Sequence, residues 1–236
     1  MKVIFESAFD IIYLIAMVTL GIRLISHADR RQMKLFGIMA VILGCGDAFH
    51  LIPRVYALIR GIPFPDLAAP LGIGKFVTSV TMTIFYVLLY QVYRERYKTE
   101  NTKTLDTVVY LLAAVRIILC FFPQNMWTTY RQPLSWGIIR NVPFTLLGII
   151  IIVLFYRASR EHNDRAFKNM WLTILLSFAF YLPVVLFSGI NEMIGMLMIP
   201  KTLAYVWTVL IGYRAYMGGH DRNLKEIGST TNCVGK

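Results

Sequence analysis

The 236-residue chain has only three cysteines, four histidines and thirteen acidic residues, and each shortage removes a class of function. Cys45 and Cys120 fall within apolar runs and Cys233 in a polar tail. Such an odd set, without metal-ligand spacing, predicts no disulfide and no cysteine metal site. Among the histidines His50 alone lies in an apolar run, while His27, His162 and His220 lie in polar connections or the tail. With no second imidazole placed to join His50, a zinc hydrolase is disfavoured, and no metal or cofactor is expected. Kinase, nucleotide and heme signatures are missing, and the last three apolar runs do not repeat the first three.

What fills the chain instead is apolar. Hydrophobic residues make up 57% of it, more than a soluble domain of ordinary composition carries. A helix needs about 20 mostly apolar residues to cross roughly 30 Å of hydrocarbon. Seven stretches qualify: 5–25, 34–57, 71–93, 105–123, 136–156, 169–189 and 196–217. Runs such as IIYLIAMVTLGI and LLGIIIIVLFY are continuous rather than alternating, which argues for helices over a β-barrel. The expected fold is therefore all-α: a polytopic membrane bundle of seven transmembrane helices in one domain, 1–217, with a flexible cytoplasmic tail over 218–236. The linkers RGIPFPDLAAP and PQNMWTTYRQP, rich in Pro and aromatic residues, read as stiff segments at an interface.

The formal charge of +11 follows the connections. Arg23, Arg30, Arg31 and Lys34 follow the first run, Arg94, Arg96, Lys98 and Lys103 the third, Arg157, Arg160, Arg165 and Lys168 the fifth, and Arg214, Arg222, Lys225 and Lys236 the last. Loops on the other side hold Lys2, Arg60 and Arg131. The positive-inside rule then predicts an outside N-terminus and a cytoplasmic C-terminus in a bacterial-type cytoplasmic membrane. The basic balance needs no nucleic-acid partner to explain it. Glu6 and Asp10 precede the first apolar core and Arg23 follows it, the reverse of a signal peptide, so that span is expected to be retained.

Five basic residues remain inside the expected spans: Arg54, Lys75, Arg116, Arg140 and Lys201. Intramembrane charge costs several kcal/mol and faces the bundle interior, a partner or a wet cavity. With Glu6, Asp10 and Asp47, these residues all fall in the outer half of their spans under the expected topology. Independent snorkelling would scatter them over both interfaces, so the asymmetry predicts a polar pocket open to the outside. Asp47, His50 and Arg54 share one helical stripe at i, i+3 and i+7, as Glu6 and Asp10, Lys75 and Ser79, and Lys201 and Tyr205 do at i, i+4. The bland alternative is that Arg116 and Arg140 neutralise Asp47 and Asp10 in structural ion pairs.

The segment LGCGDAFHLIPR, residues 43–54, resembles the second-helix region of the lysoplasmalogenase (YhhN-like) family through Gly46, Asp47, Ala48, Leu51, Pro53 and Arg54. The likeness extends to GIGKFVTSVTMTIFY, with its Gly-x-x-x-Phe spacing and late Tyr. It implies metal-independent hydrolysis of a vinyl-ether lysophospholipid to a fatty aldehyde. On that reading Asp47 is the general acid, His50 the residue that shuttles the proton or orients water, and Arg54, Arg116 and Arg140 the holders of phosphate.

The leading expectation is a multi-pass protein whose outward pocket binds an anionic amphiphile, with membrane lipid, an anionic head group or a small anion as partner. Asp47 and His50 are its candidate catalytic residues. Arg54, Lys75, Arg116, Arg140, Lys201, Glu6 and Asp10 are its candidate ligand-binding set. Two other readings stay open. One is a small-solute or proton-coupled transporter with an Asp47–His50 relay, for which Pro53, Pro143, Pro183 and Pro200 would break helices. The other is a ligand-sensing receptor with a cytoplasmic partner.

Overall fold

The computed structural model describes residues 2–99, 102–190 and 192–231. It contains seven α-helices: α1 (Lys2–Ser26), α2 (Arg31–Arg60), α3 (Ala68–Tyr97), α4 (Lys103–Phe121), α5 (Leu134–Glu161), α6 (Met170–Phe187) and α7 (Met198–Thr231). Short 3-10 turns at Phe64–Leu67, Pro123–Asn125 and Glu192–Leu197 lead into α3, α5 and α7. Among the described residues there is no strand. All seven helices are long and apolar enough to cross a membrane, which makes the chain an integral membrane protein. Helix is the one open-ended solution in lipid, because it satisfies every backbone group within its own segment.

The ends have local causes. Gly61 closes α2 with a left-handed φ of 66°, a conformation that costs glycine nothing. Lys98 takes the same region at the end of α3, with φ 44°. Phe122 precedes Pro123 where α4 stops, and Pro133 stands just ahead of α5. By contrast, α2, α5 and α6 run through Pro53, Pro143 and Pro183 without a break, and Pro200 sits in the first turn of α7. The broken helices that a transporter reading would draw on are absent among the described residues.

The helices α2 and α3 have 30 residues each, about 45 Å at the helical rise, so both project beyond the hydrocarbon. Polar ends that the hydropathy pattern leaves outside the spans continue the helix. In the bundle α3 packs against α2, α4 and α5, and α7 against α1, α2 and α6. The middle is aromatic: Phe85, Tyr86, Phe144 and Phe155 are fully buried or nearly so, and Tyr86 meets Phe144 edge-on at 5.0 Å. Most of the lipid-directed surface is Ile, Leu, Val and Phe, as at Ile12, Ile52, Leu111 and Ile149. Beneath that coat one end of the bundle is polar.

Candidate functional site

The polar end is built from the first halves of α1, α3, α5 and α7 and the second halves of α2, α4 and α6. Glu6, Asp10 and Tyr13 lie along one stripe of α1, facing Asp47 and Arg54 on α2. The Arg54 guanidinium lies 2.9 Å from Glu6 Oε2 and 3.9 Å from Asp10 Oδ2. One turn deeper, the Tyr13 hydroxyl donates to Asp47 Oδ2 at 2.6 Å. These contacts need α1 and α2 close together, and their glycines allow it: a Cβ on Gly44 would touch Met17 and Val18.

The approach of α2 to α3 is tighter still. A Cβ on Gly74 would fall inside contact distance of the Phe49 carbonyl oxygen and the His50 Cα. His50 turns its Nδ1 to the Leu71 carbonyl oxygen at 3.1 Å; an oxygen with no proton to give makes Nδ1 the donor. Thr78 donates to the Gly46 carbonyl at 3.2 Å. Ser79 stays on its own helix, bonding the Lys75 carbonyl.

Lys201, only 4% exposed, stands at the start of α7, its ammonium 4.9 Å from the Tyr181 ring centre and 5.3 Å from that of Tyr205. Its charge is attracted by Asp47 and repelled by Arg116. Arg116 is 1% exposed, with its guanidinium carbon 3.3 Å from the centre of the Phe144 ring. Its Nε and Nη1 have no hydrogen-bond partner among the described residues. The Tyr181 hydroxyl and the Cys120 thiol lie beside it. Arg140, next in line, is held by Asn125 Oδ1 at 2.8 Å and by the Trp127 ring at 4.4 Å. Beyond it the charge of Lys75 opposes that of Arg140.

All nine residues expected at the site therefore converge on one end of the bundle, but not as one pocket of equivalent groups. Arg54 is committed to Glu6 and Asp10. Asp47 accepts from Tyr13 and feels the charge of Lys201 without an ion pair to it within 4 Å. Arg116 and Arg140 have no carboxylate within ion-pair distance among the described residues, so the pairings with Asp47 and Asp10 that the bland alternative needs are not made. Among these nine residues five are cations and three are carboxylates. Asp47, His50 and Arg54 are half-buried and Lys75 is exposed, in contrast to the enclosed Arg116 and Lys201.

Tyr13, Asn125, Asn141 and Tyr181 are not singled out by sequence reasoning, yet each fixes a polar group here. Tyr13 could have been found, being three residues beyond Asp10 and seven beyond Glu6 on the same stripe. The Tyr181 hydroxyl donates to Asn141 Oδ1 at 2.9 Å, but nothing in two isolated polar tips within apolar runs announces that they meet. No family model, curated protein or solved structure matches the chain.

Proposed function

We propose that the protein binds an anionic amphiphile, with its head group among Arg116, Arg140, Lys75 and Lys201, in a pocket open to the outside of a bacterial-type cytoplasmic membrane. Arg116 carries this reading. A buried guanidinium with two N–H-bearing nitrogens unpaired is expensive in a low-dielectric interior. A phosphate or carboxylate would accept charge-assisted hydrogen bonds from it and balance the excess of cations. The outside orientation draws on the basic connections at the opposite end of the bundle.

The test is thermal unfolding of the purified protein in neutral detergent with three additives of one chain length: dodecyl phosphate, dodecyl trimethylammonium and dodecyl maltoside. Dodecyl phosphate at a hundredfold excess over its Kd should stabilise by about 2.7 kcal/mol, the other two by nothing, and Arg116→Met should abolish the effect. Equal shifts with the cationic and anionic additives would sink the proposal.

The hydrolase implied by the resemblance to lysoplasmalogenases has a separate test: aldehyde release from a lysoplasmalogen by wild type and by Asp47→Asn. A general acid must be free to present its proton to the substrate. Asp47 accepts from Tyr13 and faces Lys201, the position of a counter-ion, so binding is the reading put forward.

A further inference from the structure

The helices α5 and α6 touch tightly in mid-membrane, where a Cβ on Gly148 would enter the Phe178 ring. Toward the polar end they part, and nothing lies within 4 Å of where a Gly137 side chain would start. The space between them is a groove of about 210 Å³ on the lipid-facing side, lined by Ile138, Val142 and Leu146 of α5 and Leu182 and Leu186 of α6. Its floor includes Asn141, which is 4% exposed. Thr145 lines it too, and both polar side chains bond their own helix, Asn141 Nδ2 to the Gly137 carbonyl and the Thr145 hydroxyl to the Asn141 carbonyl. Asn141 Oδ1 accepts from Tyr181, and Tyr181 is the residue whose ring faces Lys201 and whose hydroxyl neighbours Arg116. One tyrosine thus separates the groove from the two most deeply buried cations.

We propose that this groove is the alkyl-chain subsite of the amphiphile, and that the ligand enters sideways from the bilayer between α5 and α6, past Tyr181. The inference rests on the head-group reading of Arg116. The chemistry of the two compartments matches the two parts of such a ligand. A chain gains roughly 0.8 kcal/mol for each methylene removed from water, but in lipid that gain is already made. The groove therefore contributes through fit rather than burial: it is where the chain can lie while the head group meets Arg116 and Lys201, so filling it forces the two apart and weakens binding of the chain-bearing ligand alone. Bulk lipid could occupy the same groove, but without a charge-dependent preference for one head group.

Binding to the full-length protein in nanodiscs of zwitterionic lipid separates the possibilities, with inorganic phosphate and dodecyl phosphate as probes of wild type, Val142→Trp, Leu182→Trp and Arg116→Met. Val142 is 52% exposed at the lipid surface, so a larger side chain there can fill the groove without disturbing the core. In the two tryptophan variants dodecyl phosphate should bind at least tenfold more weakly and inorganic phosphate within twofold of wild type. Arg116→Met should lose both. A dodecyl phosphate carrying a terminal diazirine should label α5 and α6 peptides in wild type and lose that labelling in Val142→Trp.

Wild-type affinity for dodecyl phosphate in both tryptophan variants would overturn the groove and leave the head-group reading standing. An equal loss of both probes in those variants would also overturn it, by showing a disturbed head-group site. Failure of wild type to bind either probe would remove the head-group reading and this inference with it.

Discussion

Arg116 lies against the Phe144 ring, with the Tyr181 hydroxyl and the Cys120 thiol as its polar neighbours and no carboxylate among the described residues. Replacing a buried charge that has no carboxylate partner with an apolar side chain of similar length removes its desolvation cost, while loss of the cation–π contact takes back about 0.5–2 kcal/mol. The ligand-free Arg116→Met protein should therefore unfold at or above the wild-type temperature even though it no longer responds to dodecyl phosphate. A lower temperature, measured by calorimetry in neutral detergent, would mean that the guanidinium has a structural acceptor and would weaken the case for a ligand. Asp47 makes the opposite prediction. Its charge faces Lys201, so Asp47→Asn leaves a buried ammonium facing Arg116 with nothing opposite. Both Asp47→Asn and Lys201→Met should destabilise, and the double variant should recover part of the loss, with a coupling of about 0.5–3 kcal/mol. Strict additivity across the four proteins would show that the two charges do not sense each other.

The helices themselves were legible: each of the seven apolar stretches became one helix, because length and continuous hydrophobicity leave a segment in lipid no other regular structure. Their ends were less so, since a polar turn can prolong a helix that hydropathy has already closed. Spacing alone puts Asp47, His50 and Arg54 on one stripe, but the structure divides them: Asp47 and Arg54 meet α1, and His50 turns to Leu71 of α3. Partner choice was not legible, because Arg54 meeting Glu6 and Arg116 meeting Phe144 depend on how helices lean together. Gly74 illustrates that dependence and gives a test: Gly74→Val should overpack the α2–α3 contact at His50, at a cost of about 1–3 kcal/mol, seen as a lower unfolding temperature. At the opposite end the α5–α6 connection is latched to α3. Asp164 takes two hydrogen bonds from Arg96 and one from Tyr97. Burial pushes its carboxyl up, but the hydrogen bonds and charge of Arg96 outweigh this and hold it below the usual carboxylate range. The latch is therefore fully present above the unfolded aspartate value of about 3.9 and is lost as pH falls through the lower folded value. The unfolding-temperature gap between wild type and Asp164→Asn should be constant from about pH 8 to about pH 5 and should close only below about pH 4. A gap that closes near neutrality would assign the effect to another group.

At the scale of the whole molecule the two ends of the bundle treat charge differently. At the Asp164 end three acids among the described residues are already paired: Arg96 holds Asp164, Arg94 lies 3.1 Å from Asp106, and Arg31 lies 3.1 Å from Glu95. The remaining Lys and Arg there are surplus, and surplus positive charge resists translocation across a membrane. At the other end the basic residues are drawn inward, around the candidate site, and the linkers carry few. Folding about a membrane should therefore leave the 122–133 linker outside and the 162–169 connection inside. In a protein with Cys45, Cys120 and Cys233 changed to Ala, Thr128→Cys and Arg165→Cys give reporters on exposed residues of those two segments. A membrane-impermeant maleimide should label Thr128→Cys in intact cells and Arg165→Cys only after the membrane is opened. The reverse pattern would turn the cation cluster toward the cytoplasm, so that its head-group ligand would have to come from the inner leaflet. The α5–α6 groove would then open to that leaflet as well, since groove and cations lie at the same end of the bundle and must face the same side.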